Sequence, residues 1–295
     1  MNSPIPRFLT TRELAALLRI KERKVYELVA KNEVPCSKAT GKLLFPQDAV
    51  NAWLVKHGSG FSISHRGQRP SVALGSHDPL LEWAIRESGC GLATFFDGSS
   101  DGVHRFANGE GVMTGLHLYD PPSASWNIAA VEQTYATNDS VLLEFAWRER
   151  GLLVAKGNPL NIQSLADLGN CRIVGRQKGA GAEALFRNQL IQQGVDSDFL
   201  DIPLVARTET ETAAAISTGE VDTGFGLRSV ADQFQLEFIP VTKERFDLLI
   251  DRHSWFESPL QTLFAFMRSA EFRQKAISTP GYHCEGFETV HFNAL

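Results

Sequence analysis

The stretch Arg172-Ile173-Val174-Gly175-Arg176-Gln177-Lys178-Gly179-Ala180-Gly181-Ala182-Glu183-Ala184-Leu185-Phe186-Arg187-Asn188-Gln189-Leu190-Ile191 holds a strand, a turn and a helix start in twenty residues. Ile173 and Val174 predict a short buried strand. Leu185, Phe186, Leu190 and Ile191 fall at helical spacing and predict one apolar face. Between them, Gly179 and Gly181 let the backbone approach a bound ion, and Arg176 and Lys178 add positive charge. The first N–H groups of a helix lack internal acceptors and carry partial positive charge, so such a turn suits an anion. It suits an ordinary strand-to-helix connection equally well. The surrounding chain has to decide between the two.

The same arrangement recurs upstream. Val72-Ala73-Leu74-Gly75 predicts a strand that ends in Ser76-His77-Asp78-Pro79, where Ser76 or Asp78 can cap a helix and Pro79 suits its first turn. Gly91 to Asp97 predicts another strand, which leads through Gly98-Ser99-Ser100-Asp101-Gly102 into a helix at Val103–Ala107. Gly115 to Asp120 predicts a third. Val141–Trp147 and Gly151–Ala155 predict long strands, and Ile162–Leu168 a short helix. Thr208 to Thr212 cap a helix through Ser217, and Gly219 to Leu227 give a strand with a glycine-flanked end. Leu236–Pro240 and Phe246–Ile250 are further strands, and Pro259–Ala270 and Glu271–Ile277 are helices. This alternation predicts an α/β fold with mainly parallel strands.

The N-terminal segment reads differently. Thr10 and Thr11 precede Glu13, Leu14, Leu17 and Leu18, a short capped helix. After a brief turn, Val25, Leu28 and Val29 form an inward stripe, with Arg23, Lys24 and Lys31 elsewhere on the surface. Two short helices and a tight turn make the helix-turn-helix pattern. Val34 to Pro46 predicts a two-stranded wing turning at Gly41, and Asp48–Leu54 a third helix. Residues 58–70 are rich in Gly, Ser and Arg and read as a flexible linker. The net charge of -5 is uneven. Residues 1–70 hold 12 Lys/Arg against 5 Asp/Glu, a surplus of +7, while residues 71–295 hold 17 against 29, a deficit of -12. A basic head on an acidic body suggests that the head meets a polyanion.

Residues 7–57 resemble the excisionase-type, MerR-like winged helix-turn-helix domain. The carrying pieces are Leu9-Thr10-Thr11 with Glu13-Leu14-Ala15, Lys24-Val25-Tyr26-Glu27-Leu28-Val29, Glu33-Val34-Pro35, Phe45-Pro46 and Ala49 to Leu54. The turn Arg19-Ile20-Lys21-Glu22 departs from the small Gly-Val-Ser-like turn usual there, which affects the cap of the second helix. The resemblance implies double-stranded DNA as a partner. Arg23, Lys24 and Lys21 would lie toward the major groove, Lys38 and Lys42 toward phosphates or the minor groove, and Lys31 belongs to the same DNA-binding set.

Residues 71–295 look like a type 2 periplasmic-binding-protein fold, and are similar to the cytoplasmic domain of that kind that resembles molybdate-binding proteins. The matching pieces are Gly75-Ser76-His77-Asp78, Gly98 to Gly102, Gly115 to Leu118, Arg176 to Gly181, Thr210 to Ile216, Gly219 to Gly226 and Pro280-Gly281-Tyr282. The resemblance implies two lobes, one at about 71–155 and 241–295 and the other at about 156–240. It implies a ligand cleft lined by Ser76, His77, Ser99, Ser100, Arg176, Lys178, Gly179, Ala180, Gly181, Thr210 and Gly226. Relatives often carry Ser-Gly-Thr-Arg where this chain has Ala180-Gly181-Ala182-Glu183, so hydroxyl and guanidinium donors are missing here. Molybdate or tungstate is implied by the resemblance, and a small carboxylate such as formate is the rival.

The bounds fit this picture. A 295-residue chain with 43% hydrophobic and 21% charged residues is that of an ordinary globular protein. No run is long and apolar enough to span a membrane, and no leader is evident, so a cytoplasmic location is expected. Cys36, Cys90, Cys171 and Cys284 are scattered with no metal spacing. No H-E-x-x-H, G-x-S-x-G or Walker pattern is present, so neither catalysis, a metal nor a cofactor is expected. The expected protein is a one-component transcriptional regulator that senses a small anion and acts as a homodimer or homotetramer. The alternative is a cytoplasmic anion-binding enzyme or carrier whose basic head is an interaction module.

Overall fold

A computed structural model describes residues 8–38, 41–47, 49–50, 53–54, 69–133 and 139–293. The chain divides into two compact units between Gly67 and Gln68. Each is described by itself.

In the first unit Thr10 closes a capping box on the helix Thr11–Leu18. Glu13 N–H donates to Thr10 Oγ1 (3.3 Å) and Thr10 N–H donates to Glu13 Oε2 (2.8 Å). Arg19 leaves that helix in the left-handed region at φ 52°, and the helix Glu22–Ala30 begins after Lys21 with no side-chain cap. The unusual turn therefore closes without the usual cap. Leu9, Leu14, Ala15, Val25, Val29, Val34, Phe45 and Val50 form the core. Leu44–Pro46 pairs antiparallel with the N-terminal strand Phe8–Thr10. Of the expected wing hairpin the described residues show one bridge, between Ser37 and Leu44. The third helix predicted at 48–54 falls partly outside the described residues, as does the linker predicted at 58–70, of which only residues 69 and 70 are described.

Arg69, near the end of that predicted linker, is anchored in the second unit. Its guanidinium donates to Phe106 O (2.6 Å) and Gly111 O (3.1 Å) and pairs with Asp251 at 3.1 Å.

The second unit is organised on one sheet. Its strands run in the order Asp201–Ala206, Arg172–Arg176, Thr223–Leu227, Ser140–Val154, Glu237–Asp251, Met113–Leu116, Val72–Gly75 and Ala93–Phe96. The outer groups are parallel, as the sequence predicts. The centre is not. Ser140–Val154 and Glu237–Asp251 are antiparallel and each runs fifteen residues. Each merges two strands that the sequence reading kept apart. Polar residues in mid-strand (Arg148, Glu149 and Arg150 in one; Thr242, Lys243 and Glu244 in the other) look like breaks, but they lie where the strands cross between lobes.

Separate apolar clusters fill the two sides. Leu81, Met113, Phe145, Phe246, Phe264 and Phe272 belong to one lobe, and Leu152, Ile173, Leu185, Phe186 and Phe225 to the other. On the helix Gly181–Gln192, Leu185, Phe186 and Leu190 are buried as expected, whereas Ile191 is 76% exposed. The burying arc is narrower than the four-residue spacing suggested. The helix predicted at Val103–Ala107 begins four residues earlier, at Ser99. The helix predicted at 162–168 is a 3-10 turn at Leu165–Asn170.

Candidate functional site

On the first unit, Arg23, Lys24, Glu27 and Lys31 share an exposed face of the second helix. Glu27 pairs with Arg23 Nε at 3.6 Å and with Lys24 Nζ at 3.3 Å. Arg23 remains 91% exposed in its side chain, so these pairs hold the cations loosely at the surface. Lys21, Lys31, Lys38 and Lys42 are exposed. Tyr26 is 53% exposed on the same helix, an aromatic at the surface that the sequence reading passed over.

On the second unit, among the described residues, four helices of nine residues or more start just after the ends of parallel strands. Two are closed by side chains: Asp78 caps the helix Pro79–Ser88 through Leu81 N–H (2.7 Å), and Thr208 caps Glu209–Ser217 through Glu211 N–H (3.0 Å). The other two, Ser99–Ala107 and Gly181–Gln192, have no side-chain cap. They come from opposite lobes and meet. A Cβ placed on Gly98 would stand 3.4 Å from Gly179 O and 3.6 Å from Ala180 Cα. Gly181 is pressed against His117, whose carbonyl oxygen would lie 2.6 Å from a Cβ there, so only glycine fits. Gly179 sits at φ +88°, a conformation that also favours glycine. At the mouth, Arg207 pairs across to Asp97 at 3.5 Å.

The structure distributes the predicted cleft residues unevenly. Ser76 and Ser99 are brought together and buried, their hydroxyls 2.7 Å apart, and Ser99 Oγ accepts from His117 N–H (3.2 Å). Ser100, Lys178 and Gly179 are exposed at the mouth beside the two uncapped starts, while Ala180 and Gly181 are buried between the lobes. Thr210 is exposed in the first turn of its own helix, whose start Thr208 already caps. Gly226 lies within a buried strand, where a Cβ would stand 3.6 Å from Glu209 Oε2. His77 turns aside to Glu82, with its Nε2 3.1 Å from Oε2, and its buried Nδ1 has no partner. Arg176 does not stand free for an anion. Its Nη1 donates to Glu209 Oε1 (2.6 Å) and its Nη2 to Arg207 O (3.0 Å).

Arg176 is the end of a buried chain of alternating charges that the sequence reading missed. Tyr282 Oη donates to Asp78 Oδ2 (2.6 Å), and so does Arg148 Nη1 (2.7 Å). Arg148 Nη2 donates to Glu244 Oε1, which also faces Arg150 Nη2 at 2.8 Å. Arg150 reaches Glu209 at 3.0 Å, and Glu209 reaches Arg176. Asp78 belongs to one lobe, Arg148, Arg150 and Glu244 to the crossing strands, and Glu209 and Arg176 to the other lobe. Three guanidiniums thus face three carboxylates across the hinge. Burial opposes ionisation of Glu209, but Arg150 and Arg176 outweigh it and hold its carboxyl well below the usual range. Glu244 is likewise depressed against its burial by Arg148 and Arg150.

His117 Nδ1 lies 2.8 Å from Glu244 Oε2. Burial lowers its pKa despite that carboxylate, so the ring is neutral near pH 7 and donates from Nδ1. One signal was available in the sequence. Glu144, Arg148 and Arg150 stand at even positions, and so on one face, of a long and otherwise mainly apolar strand, a charged stripe that requires buried partners.

Among the described residues no group of three or more His, Cys, Asp or Glu is placed to hold a metal ion, and no helix is long and apolar enough to cross a membrane.

Comparison with known proteins agrees with this architecture. Residues 8–57 match the model of a helix-turn-helix domain. The uncharacterized protein YvgK of Bacillus subtilis (strain 168) is 25% identical over 301 residues, spanning 95% of this chain and 94% of that protein. A putative phosphate ABC transporter substrate-binding protein from Clostridium perfringens, solved with bound phosphate, superposes with a TM-score of 0.55. It is 13% identical and covers 74% of this chain and 98% of its own. PhnD1 from Prochlorococcus marinus (MIT 9301), solved with methylphosphonate, gives a TM-score of 0.50 at 13% identity over 73% of this chain and 92% of its own. The model of the PBP superfamily domain matches residues 82–268, more than half of the chain, and the protein belongs to that superfamily, with a helix-turn-helix domain at its N-terminal end.

Proposed function

We propose that the protein is a DNA-binding transcriptional regulator whose cleft senses a small oxyanion, and that lobe closure on this effector alters operator binding. The two-domain architecture fits a DNA-binding regulator with a ligand-binding domain. The observation that carries the ligand class is the meeting of two uncapped helix starts, Ser99–Ala107 and Gly181–Gln192, from opposite lobes. Their N–H groups have no acceptor of their own and would hold an anion from both sides. The guanidiniums below are each matched to a carboxylate, so backbone N–H groups and the hydroxyls of Ser76, Ser99 and Ser100 would carry recognition. Such a site favours a small, compact anion over a large polyanion.

Phosphate and methylphosphonate, bound by the two structural neighbours, join molybdate, tungstate and formate as candidates. In the closed arrangement Ser76 and Ser99 are buried, so entry requires the lobes to part, and closure on the ligand is the switch. A single small helix-turn-helix contacts few base pairs, so the working form is a homodimer or homotetramer.

A thermal-shift screen of the full chain with these anions and sulfate tests the reading. One anion should raise the melting temperature, because a ligand that binds the folded state alone stabilises it. The same anion should change the affinity for operator DNA, measured by fluorescence anisotropy at fixed salt. No shift with any anion, or DNA binding that is absent at low salt, would overturn it.

A further inference from the structure

Away from the lobe interface, a cavity of about 390 Å³ opens among the helices Ser258–Met267 and Ala270–Ser278 and the strand Tyr282–His283. Its volume lies within the usual range for small-molecule sites. Met267, Phe272, Ala276 and Tyr282 are buried and make an apolar floor. Tyr282 offers only its ring, because its hydroxyl is committed to Asp78.

Three charged residues line the cavity: Arg268, Arg273 and Glu285. Arg268 is already held by Glu288, with Nε donating to Oε2 at 2.9 Å. Arg273 and Glu285 are both exposed, and neither has an ion-pair partner among the described residues, nor do they pair with each other. An apolar pocket lined by one unpaired cation and one unpaired anion matches a ligand with an apolar body and two opposite charges.

We propose that this cavity binds an apolar α-amino acid, with the side chain on the Phe272–Tyr282 floor, the carboxylate at Arg273 and the ammonium at Glu285. This site is separate from the anion cleft, and the proposal stands whether or not the cleft reading holds.

Isothermal titration calorimetry of the full chain with phenylalanine, leucine, phenylacetate and phenethylamine tests it. One amino acid should bind saturably, one per chain. Phenylacetate and phenethylamine each lack one charge and should bind roughly tenfold more weakly, the usual effect of losing a charge-assisted hydrogen bond. Arg273→Gln and Glu285→Gln should each weaken binding by a similar factor. Both side chains are at the surface, so the melting temperature should not move and a loss of binding cannot be blamed on misfolding. Absence of saturable binding by either amino acid overturns the proposal. So does binding that ignores both substitutions but is lost in Gly179→Val, which would place the amino acid in the cleft. Self-association that depends on Arg273 and Glu285, seen by sedimentation without amino acid binding, would make this face a protein interface and overturn it too.

Discussion

Glu244→Ala is the sharpest probe of the hinge. Glu244 is fully buried, and its Oε1 faces both Arg148 and Arg150 while its Oε2 accepts from His117. Its removal leaves three guanidiniums against two carboxylates in a fully buried site. Breaking a buried pair by deleting one partner costs about 3–5 kcal/mol, because the remaining charge is uncompensated. For a unit of about this size each kcal/mol moves the melting temperature by roughly 2–4 °C, so a fall of about 6–20 °C is expected. The assay is differential scanning calorimetry of the full chain, following the transition assigned to residues 68–295. Replacing Arg150 and Glu244 together by apolar residues of similar volume should recover much of that loss, since Arg148 keeps Asp78, Arg176 keeps Glu209, and the cost lies in unpaired charge rather than in lost attraction. A fall below about 2 °C for Glu244→Ala, within the effect of an ordinary surface substitution, would refute the reasoning.

Other expectations concern separate parts of the molecule. Because burial lowers the pKa of His117, the unfolded chain takes up a proton first as pH falls below about 6.5, and stability should drop below that pH. His117→Gln should flatten this limb of a melting-temperature profile, and an unchanged profile would place the titration elsewhere. Lys24→Ala should weaken operator binding and lower the salt slope by about one while leaving anion affinity intact; equal loss of both would argue against independent modules. Gly179→Val forces a β-branched residue to φ +88° at a cost of about 1–3 kcal/mol, so it should lower the melting temperature modestly and abolish the anion-induced shift. An unaltered shift would move the anion site away from this turn.

Much of the local structure was legible because local chemistry decides it. Thr10 and Glu13 form their capping box within four residues. Val25 and Val29 point inward because their helical spacing leaves no alternative. The glycines of the Arg176–Gly181 turn marked a strand-to-helix junction, and both Gly179 and Gly181 prove to be required there, one by backbone conformation and one by the contact with His117. Asp78, read as one of two candidate caps, is the cap.

The tertiary structure alone decided what the lobes share. Arg148 finds Asp78 across 70 residues and Glu244 across 96, and Arg150 finds Glu209 across 59. No periodicity spans such distances, and pairing between charges depends on which side chains are excluded from water together. The same reason explains why Arg176, which reads as a free cation beside a glycine turn, is engaged by Glu209. Burial turns it from a candidate ligand contact into the last link of the hinge. Sequence determined the two kinds of domain and the helix starts that could face an anion. Only the fold, by bringing distant charges into one buried space, determined which of those starts were left open.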